Sequence, residues 1–260
     1  VESTWENIRN LSKGTALFSQ PASPIKGDGA PQEITYLAED YFRLSGQTNQ
    51  INVKFFSGMP DIFPVKKYAE KLNSLCDQRG IQKTFLHDLV EVDADNKVAI
   101  FKDLDSNELN SVEYDFLHVT PKMGPPDFIK KSLLSTEAGW VDVDKDTMQH
   151  NHFDNIFSCG DCSSLPTSKT AAAIRAQVPI MVRNILSARD DQPLVNYYNG
   201  YTSCSIVTGY GRSILAEFDY DLSLRETLPF DQSTERMSMY ILKKYIMPKL
   251  YWHGMLKGRF

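Results

Sequence analysis

Thiol chemistry is available at four places in this 260-residue sequence: Cys76, Cys159, Cys162 and Cys204. A thiolate attacks sulfur and binds metals, whereas a thiol does neither well. Cys159 and Cys162 form a C-x-x-C pair, the spacing of a dithiol redox centre. They flank a Gly-Asp turn and not the start of a helix, so a structural role weighs more. Cys76 falls beside Leu72 and Leu75 on an expected helix face and reads as core. Cys204 stands alone, either a buried structural thiol or a reactive one. No second close pair exists, so a two-pair zinc site is not expected. His87, His118, His150, His152 and His253 show no metal-ligand spacing either, and His118 reads as structural.

A second kind of chemistry is offered by residues 155–174. The pattern is a short apolar strand, then Gly160-Asp161, then Thr167-Ser168-Lys169-Thr170 before a run of alanines. Gly160 lets backbone approach a ligand, and Asp161 can accept from a sugar or ribityl hydroxyl. The Thr and Ser residues can cap a helix, whose first turn carries free N–H groups and about half a positive charge. Ala171, Ala172 and Ala173 leave room for a flat ring, with Ile174 following. Such a site stabilises the anion of a reduced flavin near its pyrimidine edge. The plainer reading is a βα unit with an ordinary Gly-Asp turn.

The C-terminal residues 235–260 carry a third signal. After Glu235 there is no acid, while Arg236, Lys243, Lys244, Lys249, Lys257 and Arg259 follow, in a chain whose net charge is −5. Met237, Tyr240, Ile241, Tyr245, Trp252 and other apolar residues share this stretch. An apolar face rich in Met and aromatics beside a basic face suits a helix lying in a membrane surface. It equally suits a terminal helix packed on the core. Pro248 is expected to kink or break it. No apolar run of about 18 residues is present, so no membrane-crossing helix is expected. The net negative charge gives no sign of nucleic-acid binding, and composition is that of a globular chain, 42% hydrophobic and 23% charged.

The elements that would hold these groups alternate. Residues 14–19 read as a strand, 33–45 as a helix, 51–56 as a strand and 65–79 as a helix, a βαβ pattern with a parallel sheet. Residues 85–92, 98–101 and 112–118 read as three strands joined by polar turns, an antiparallel meander. Short strands are expected at 140–143 and 155–159, a helix at about 170–187, and strands at 205–207 and 213–219.

Several long motifs carry a family resemblance. The segment 155–178, Leu117-His118-Val119-Thr120-Pro121 and Gly139-Trp140-Val141-Asp142-Val143-Asp144-Lys145-Asp146-Thr147-Met148-Gln149-His150 are among them. Gly200–Tyr210, Asp219-Tyr220 and Pro229–Tyr240 complete the set. Together they resemble the mitochondrial branch of the sulfide:quinone oxidoreductases across nearly the whole chain. The resemblance implies an α/β fold with two Rossmann-like dinucleotide-binding domains of the FAD/NAD(P)-linked disulfide reductase type. Residues 1–32 would be a remnant of the FAD domain and a loop. Residues 33–130 would be the second Rossmann-like domain with its meander, 131–199 the return to the FAD domain, and 200–260 a quinone- and membrane-binding region. The strand–GxGxxG–helix that would hold the flavin pyrophosphate is missing, which reads as an N-terminal truncation.

The resemblance further implies two-electron oxidation of hydrogen sulfide through a cysteine persulfide, with FAD passing electrons to ubiquinone at the mitochondrial inner membrane. A small sulfur acceptor, sulfite or glutathione, would remove the sulfur. Flavin contacts would come from Gly160, Asp161, Lys169, Thr170, Ala171, Ala172, Ala173 and Ile174. Phe230, Met237 and Tyr240 would line the quinone entry, and Cys204 matches the second of two family cysteines. The first belongs to a Lys-Cys-x-Gly-Ala-Pro-Gln loop, where this chain has Lys26-Gly27-Asp28-Gly29-Ala30-Pro31-Gln32. Gly27 takes the cysteine's place, and Cys162 is a possible substitute partner for Cys204. A catalytically impaired flavin-binding paralogue and an NADH:quinone reductase-like flavoenzyme remain the alternative readings.

Overall fold

The computed structural model describes residues 2–259. Helix α1 (Glu2–Asn10) precedes β1 (Gly14–Gln20), α2 (Ala30–Leu44), β2 (Ile51–Ser57), α3 (Lys66–Gln78) and β3 (Gln82–Thr84). Three strands follow, β4 (His87–Asp93), β5 (Val98–Asp103) and β6 (Leu109–Glu113), and then β7 (Phe116–Val119). The parallel sheet has the order β3-β2-β1-β7, and β4-β5-β6 is an antiparallel sheet of its own. Strand β1 is buried through its second half, as a parallel strand covered on both faces must be. Phe18, Phe55, Tyr36, Phe42, Tyr68 and Leu72 form the heart of the core, with Cys76 among them.

The later half is less regular. After the short helix α4 (Asp127–Lys130), the chain reaches α5 (Ala171–Arg189), then the hairpin β8 (Thr202–Gly209) and β9 (Arg212–Phe218). Helix α6 (Met237–Ile241), a wide π turn over Leu242–Ile246 and α7 (Met247–His253) follow, with a 3₁₀ turn at Met255–Lys257 after them. Among the described residues no helix is long and apolar enough to cross a membrane.

Four expectations need correction. Residues 14–20 are no remnant of another domain, because β1 pairs in parallel with both β2 and β7 in the middle of the sheet. The expected strand 112–118 is two strands in two sheets. Its switch point is Asp115, which accepts the Thr15 N–H at 2.8 Å and donates its own N–H to Thr15. Residues 140–143 and 155–159 make single bridges (Val141 to Ser163, Val143 to His150, Phe157 to Gln149) without a ladder. Their alternation reflects burial of Val141 and Val143 in a second small cluster with Met148, Leu165 and Tyr198. Finally, Pro248 is the second residue of α7 and the helical run passes through it; the irregularity is the π turn just before it.

Nor is 200–260 a unit apart. Ile206, Ile214 and Phe218 of the hairpin join the core of the parallel sheet. Asp40 of α2, itself buried, fixes that junction. Its carboxylate accepts from Arg43, from Arg212 at 2.5 Å and from the Tyr210 N–H at 2.8 Å. Removing one partner of such a group leaves uncompensated charge. Asp40→Ala is therefore expected to destabilise the protein by about 3 kcal/mol, read as a lower denaturant midpoint with an unchanged slope.

Candidate active site

The site is built where β8 passes under the turn that precedes α2. Cys204 is 8% exposed and packs in the main core. The Gly29 N–H points at its sulfur. A Cβ on Gly29 would stand 3.0 Å from Sγ of Cys204 and 2.8 Å from Cγ1 of Ile206, so only glycine allows this approach. Gly27 has φ +86°, and a Cβ there would meet no heavy atom within 4 Å. Space is available at position 27, while the backbone favours glycine. The turn is tied at several points. Ala30 N–H donates to the Gly27 carbonyl at 3.0 Å, Ser168 Oγ donates to Asp28 at 2.5 Å, and Lys26 Nζ lies 3.6 Å from Asp161.

Charge around Cys204 comes from three elements. Burial pushes its thiol up to about 12, and the carboxylates of Glu33 and Asp28 push the same way. Lys243 and the Gly29 N–H act in the opposite direction. Glu33 accepts from Lys243 and, at 3.2 Å, from the Val207 N–H. Lys243 also donates to the Ser205 carbonyl at 2.5 Å. Burial raises the carboxyls of Asp28 and Glu33 above the ordinary range. At neutral pH Cys204 thus rests as a thiol. Asp28, Glu33 and Lys243 were not singled out from sequence. Two lie in or next to the loop whose cysteine is replaced, which was the available signal for them.

The start of α5 abuts the same strand. Thr170 Oγ1 accepts the Ala173 N–H at 3.1 Å and lies 2.9 Å from Thr202 Oγ1, two residues before Cys204. Ala171 is exposed and Ala173 buried. Gly160 serves the protein itself. Its φ is +69°, a Cβ would press on Ile174 at 3.2 Å, and its N–H donates to Gln177 at 2.9 Å. Lys169 turns inward: Nζ donates to the Ser163 carbonyl at 2.9 Å and lies 4.8 Å from the Trp140 ring centroid, and burial lowers its pKa. Asp161 stays about half exposed beside Lys26.

These residues fit one end of a flavin. A 19-residue helix presents an exposed, alanine-lined first turn without acids, and its leading amides have no intrahelical acceptor. Val178, Val182, Ile185 and Leu186 further along α5 are exposed. No residue of this chain supplies the glycine-rich pyrophosphate turn. A cleft of about 490 Å³ lies instead between the start of α2 and the end of β7, at the switch point of the parallel sheet. Its walls are apolar, with Trp5, Ile34, Leu37 and Met123, and hold no cation for a pyrophosphate. His118 borders it with Nδ1 unpartnered and a pKa lowered by burial.

Cys159 and Cys162 pack against the second cluster, around Val141 and Leu165, whereas Cys204 packs in the main core. Burial raises the Cys159 thiol, with Cys162 adding to it. Cys76 is core, facing Tyr36 OH at 3.8 Å and pushed up to about 11 by burial. Phe230 lies under the Arg236 guanidinium at 4.4 Å. Met237 is 66% exposed, and Tyr240 neighbours Lys244 at 3.4 Å.

The fold is that of the two-domain flavoproteins of the FAD/NAD(P)-linked disulfide reductase type. A sulfide:quinone oxidoreductase from Aquifex aeolicus superposes with TM-score 0.76 at 14% identity, covering 96% of this chain and 60% of that one. A chain in the Tetrahymena thermophila mitochondrial ATP synthase superposes with TM-score 0.81 at 20% identity, covering 94% and 60%. In sequence, the mitochondrial sulfide:quinone oxidoreductase of Mus musculus is 48% identical over 259 residues, 99% of this chain. That of Dictyostelium discoideum is 48% identical over 260 residues. No family model matches the chain. Over its whole length the chain is similar to the mitochondrial-type sulfide:quinone oxidoreductases, and it spans 58% and 57% of the length of these two relatives.

Asp28 gives a pH-dependent test of this geometry. Its folded carboxyl is raised by burial, so its ionised form disfavours folding at pH values above that raised pKa, and the cost disappears below the unfolded pKa. Asp28→Asn keeps the Ser168 partner without the charge. It is expected to raise Tm at about pH 7, with the gain shrinking towards about pH 4 as Asp28 itself becomes neutral.

Proposed function

We propose that the whole protein is an FAD-dependent sulfide:quinone oxidoreductase in which Cys204 is the reacting thiol. The convergence of the Lys26–Gly29 turn, Cys204 and the start of α5 on one strand carries this reading. The 48% identity to curated relatives of that activity supports it. Joining the sulfur of hydrogen sulfide to Sγ of Cys204 forms a persulfide and releases two electrons and two protons. The start of α5 would hold an FAD, and that group would supply the two-electron acceptor between the sulfur and ubiquinone. Transfer of the outer sulfur to a small acceptor such as sulfite or glutathione returns the thiol.

The chain's own residues have definable parts in this. The Gly29 N–H and Lys243 favour the thiolate, against burial and two carboxylates. The first turn of α5, from Thr170 through Ile174 and with Gly160, Asp161 and Lys169 behind it, would hold the ring end of the flavin. Asp28, Glu33 and Gly29 hold the turn over the sulfur. Phe230, Met237 and Tyr240, on and before α6, would face the quinone. The C-terminal segment exposes Met237, Ile241, Tyr245, Ile246, Trp252 and Leu256 among its lysines. That mixture suits peripheral attachment to the mitochondrial inner membrane.

Anaerobic addition of sulfide to the full-length flavoprotein should bleach the visible flavin band, and a soluble quinone should restore it. Cys204→Ser should slow bleaching by at least about a hundredfold. A flavin that stays oxidised under sulfide would remove the sulfide-oxidising reading; unimpaired bleaching in Cys204→Ser would remove Cys204 from it.

A further inference from the structure

We propose that Lys243 is a positioning residue through which the basic C-terminal segment sets the reactivity of Cys204. Lys243 lies on the π turn Leu242–Ile246. Such a wide turn re-aims side chains relative to a regular helix and is frequent at functional sites. From there Lys243 reaches inward, to the Ser205 carbonyl at 2.5 Å and to the carboxylate of Glu33. Its neighbour Lys244 instead stays exposed over Tyr240 and Tyr245, and Lys249 is exposed as well. One lysine of the segment is thus turned, about a third exposed, towards the strand that carries the cysteine.

The groups around the sulfur can be counted by element. The turn before α2 supplies Asp28, and α2 supplies Glu33. The hairpin partner β9 places Ala216 opposite Cys204, and α5 meets β8 through the uncharged Thr170. Among the described residues, Lys243 is the cation that acts on Cys204. With the segment seated, Lys243 offsets Glu33. Without it, a thiolate at Cys204 would face Glu33 and Asp28 unopposed, and like charge disfavours ionisation. Seating of a segment that begins about thirty residues downstream of Cys204 is thereby coupled to formation of the nucleophile. This inference rests on the reading of Cys204 as the reacting thiol.

The test is the alkylation rate of Cys204 by iodoacetamide in the reduced full-length flavoprotein, followed by mass spectrometry of its peptide between about pH 7 and 9. Lys243→Met should slow alkylation about tenfold at each pH, while Lys243→Arg stays near the wild-type rate. Loss of a mere strap has the opposite sign, because a loosened segment uncovers the sulfur. Faster alkylation in Lys243→Met, or equal rates in the Met and Arg variants, overturns the proposal. If Lys243→Met does not fold, Glu33→Gln takes its place: removing that carboxylate should speed alkylation severalfold, and an unchanged rate overturns the proposal. Sulfide turnover that survives Cys204→Ser would instead fault the underlying reading, with the alkylation contrast unaffected.

Discussion

Packing of β8 against α2 closes the Lys26–Gly29 turn over the sulfur of Cys204, and the rest of the site is arranged around that contact. The contact works only because position 29 has no side chain. A methyl group there would collide with both Sγ of Cys204 and Ile206. The same packing brings Glu33 to the Val207 N–H and Asp40 to the hairpin turn at Tyr210. On its other side, Thr202 ties the strand to the cap of α5. A turn, a helix start and a tail lysine therefore share one rigid reference, the strand that carries Cys204. Burial is also what makes the thiol hard to ionise, so the feature that positions the sulfur restrains it as well.

Much of this was legible in the residues. Alternation and helical spacing located β1, α2, β2, α3 and α5 to within a few residues, because each buries one apolar face or a continuous apolar run. Thr170 was among several caps on offer, and the structure uses it. The chain's switch between sheets at Asp115 left no comparable trace. An alternating pattern reads as one strand whichever sheet its halves join, and the pairing of Asp115 with Thr15 marks where β6 gives way to β7. Glycine after a strand suits a ligand or a tight turn equally, and Gly160 has the positive φ of a tight turn with Ile174 packed close to it.

The charges about Cys204 were the least visible part. Asp28 and Glu33 look like ordinary loop and helix-start acids, and Lys243 is one of six cations in a basic stretch. Nothing in spacing shows that Lys243 turns inward, since a π turn has no sequence period of its own. The C-x-x-C pair drew attention in the opposite way. Its spacing is that of a redox motif, yet both thiols pack on the smaller cluster with Leu165 and Tyr198, whereas Cys204 belongs to the main core.

The most direct measurement is made on Gly27→Cys in the full-length protein, under a mild oxidant, with peptide mapping of the sulfur bonds formed. The account predicts a bond from the new thiol to Cys204, because the open space at position 27 and the Gly29–Cys204 contact belong to one turn. A new thiol that pairs with Cys162, or stays free while Cys204 pairs elsewhere, would contradict the placement of that turn over Cys204 and the site built on it.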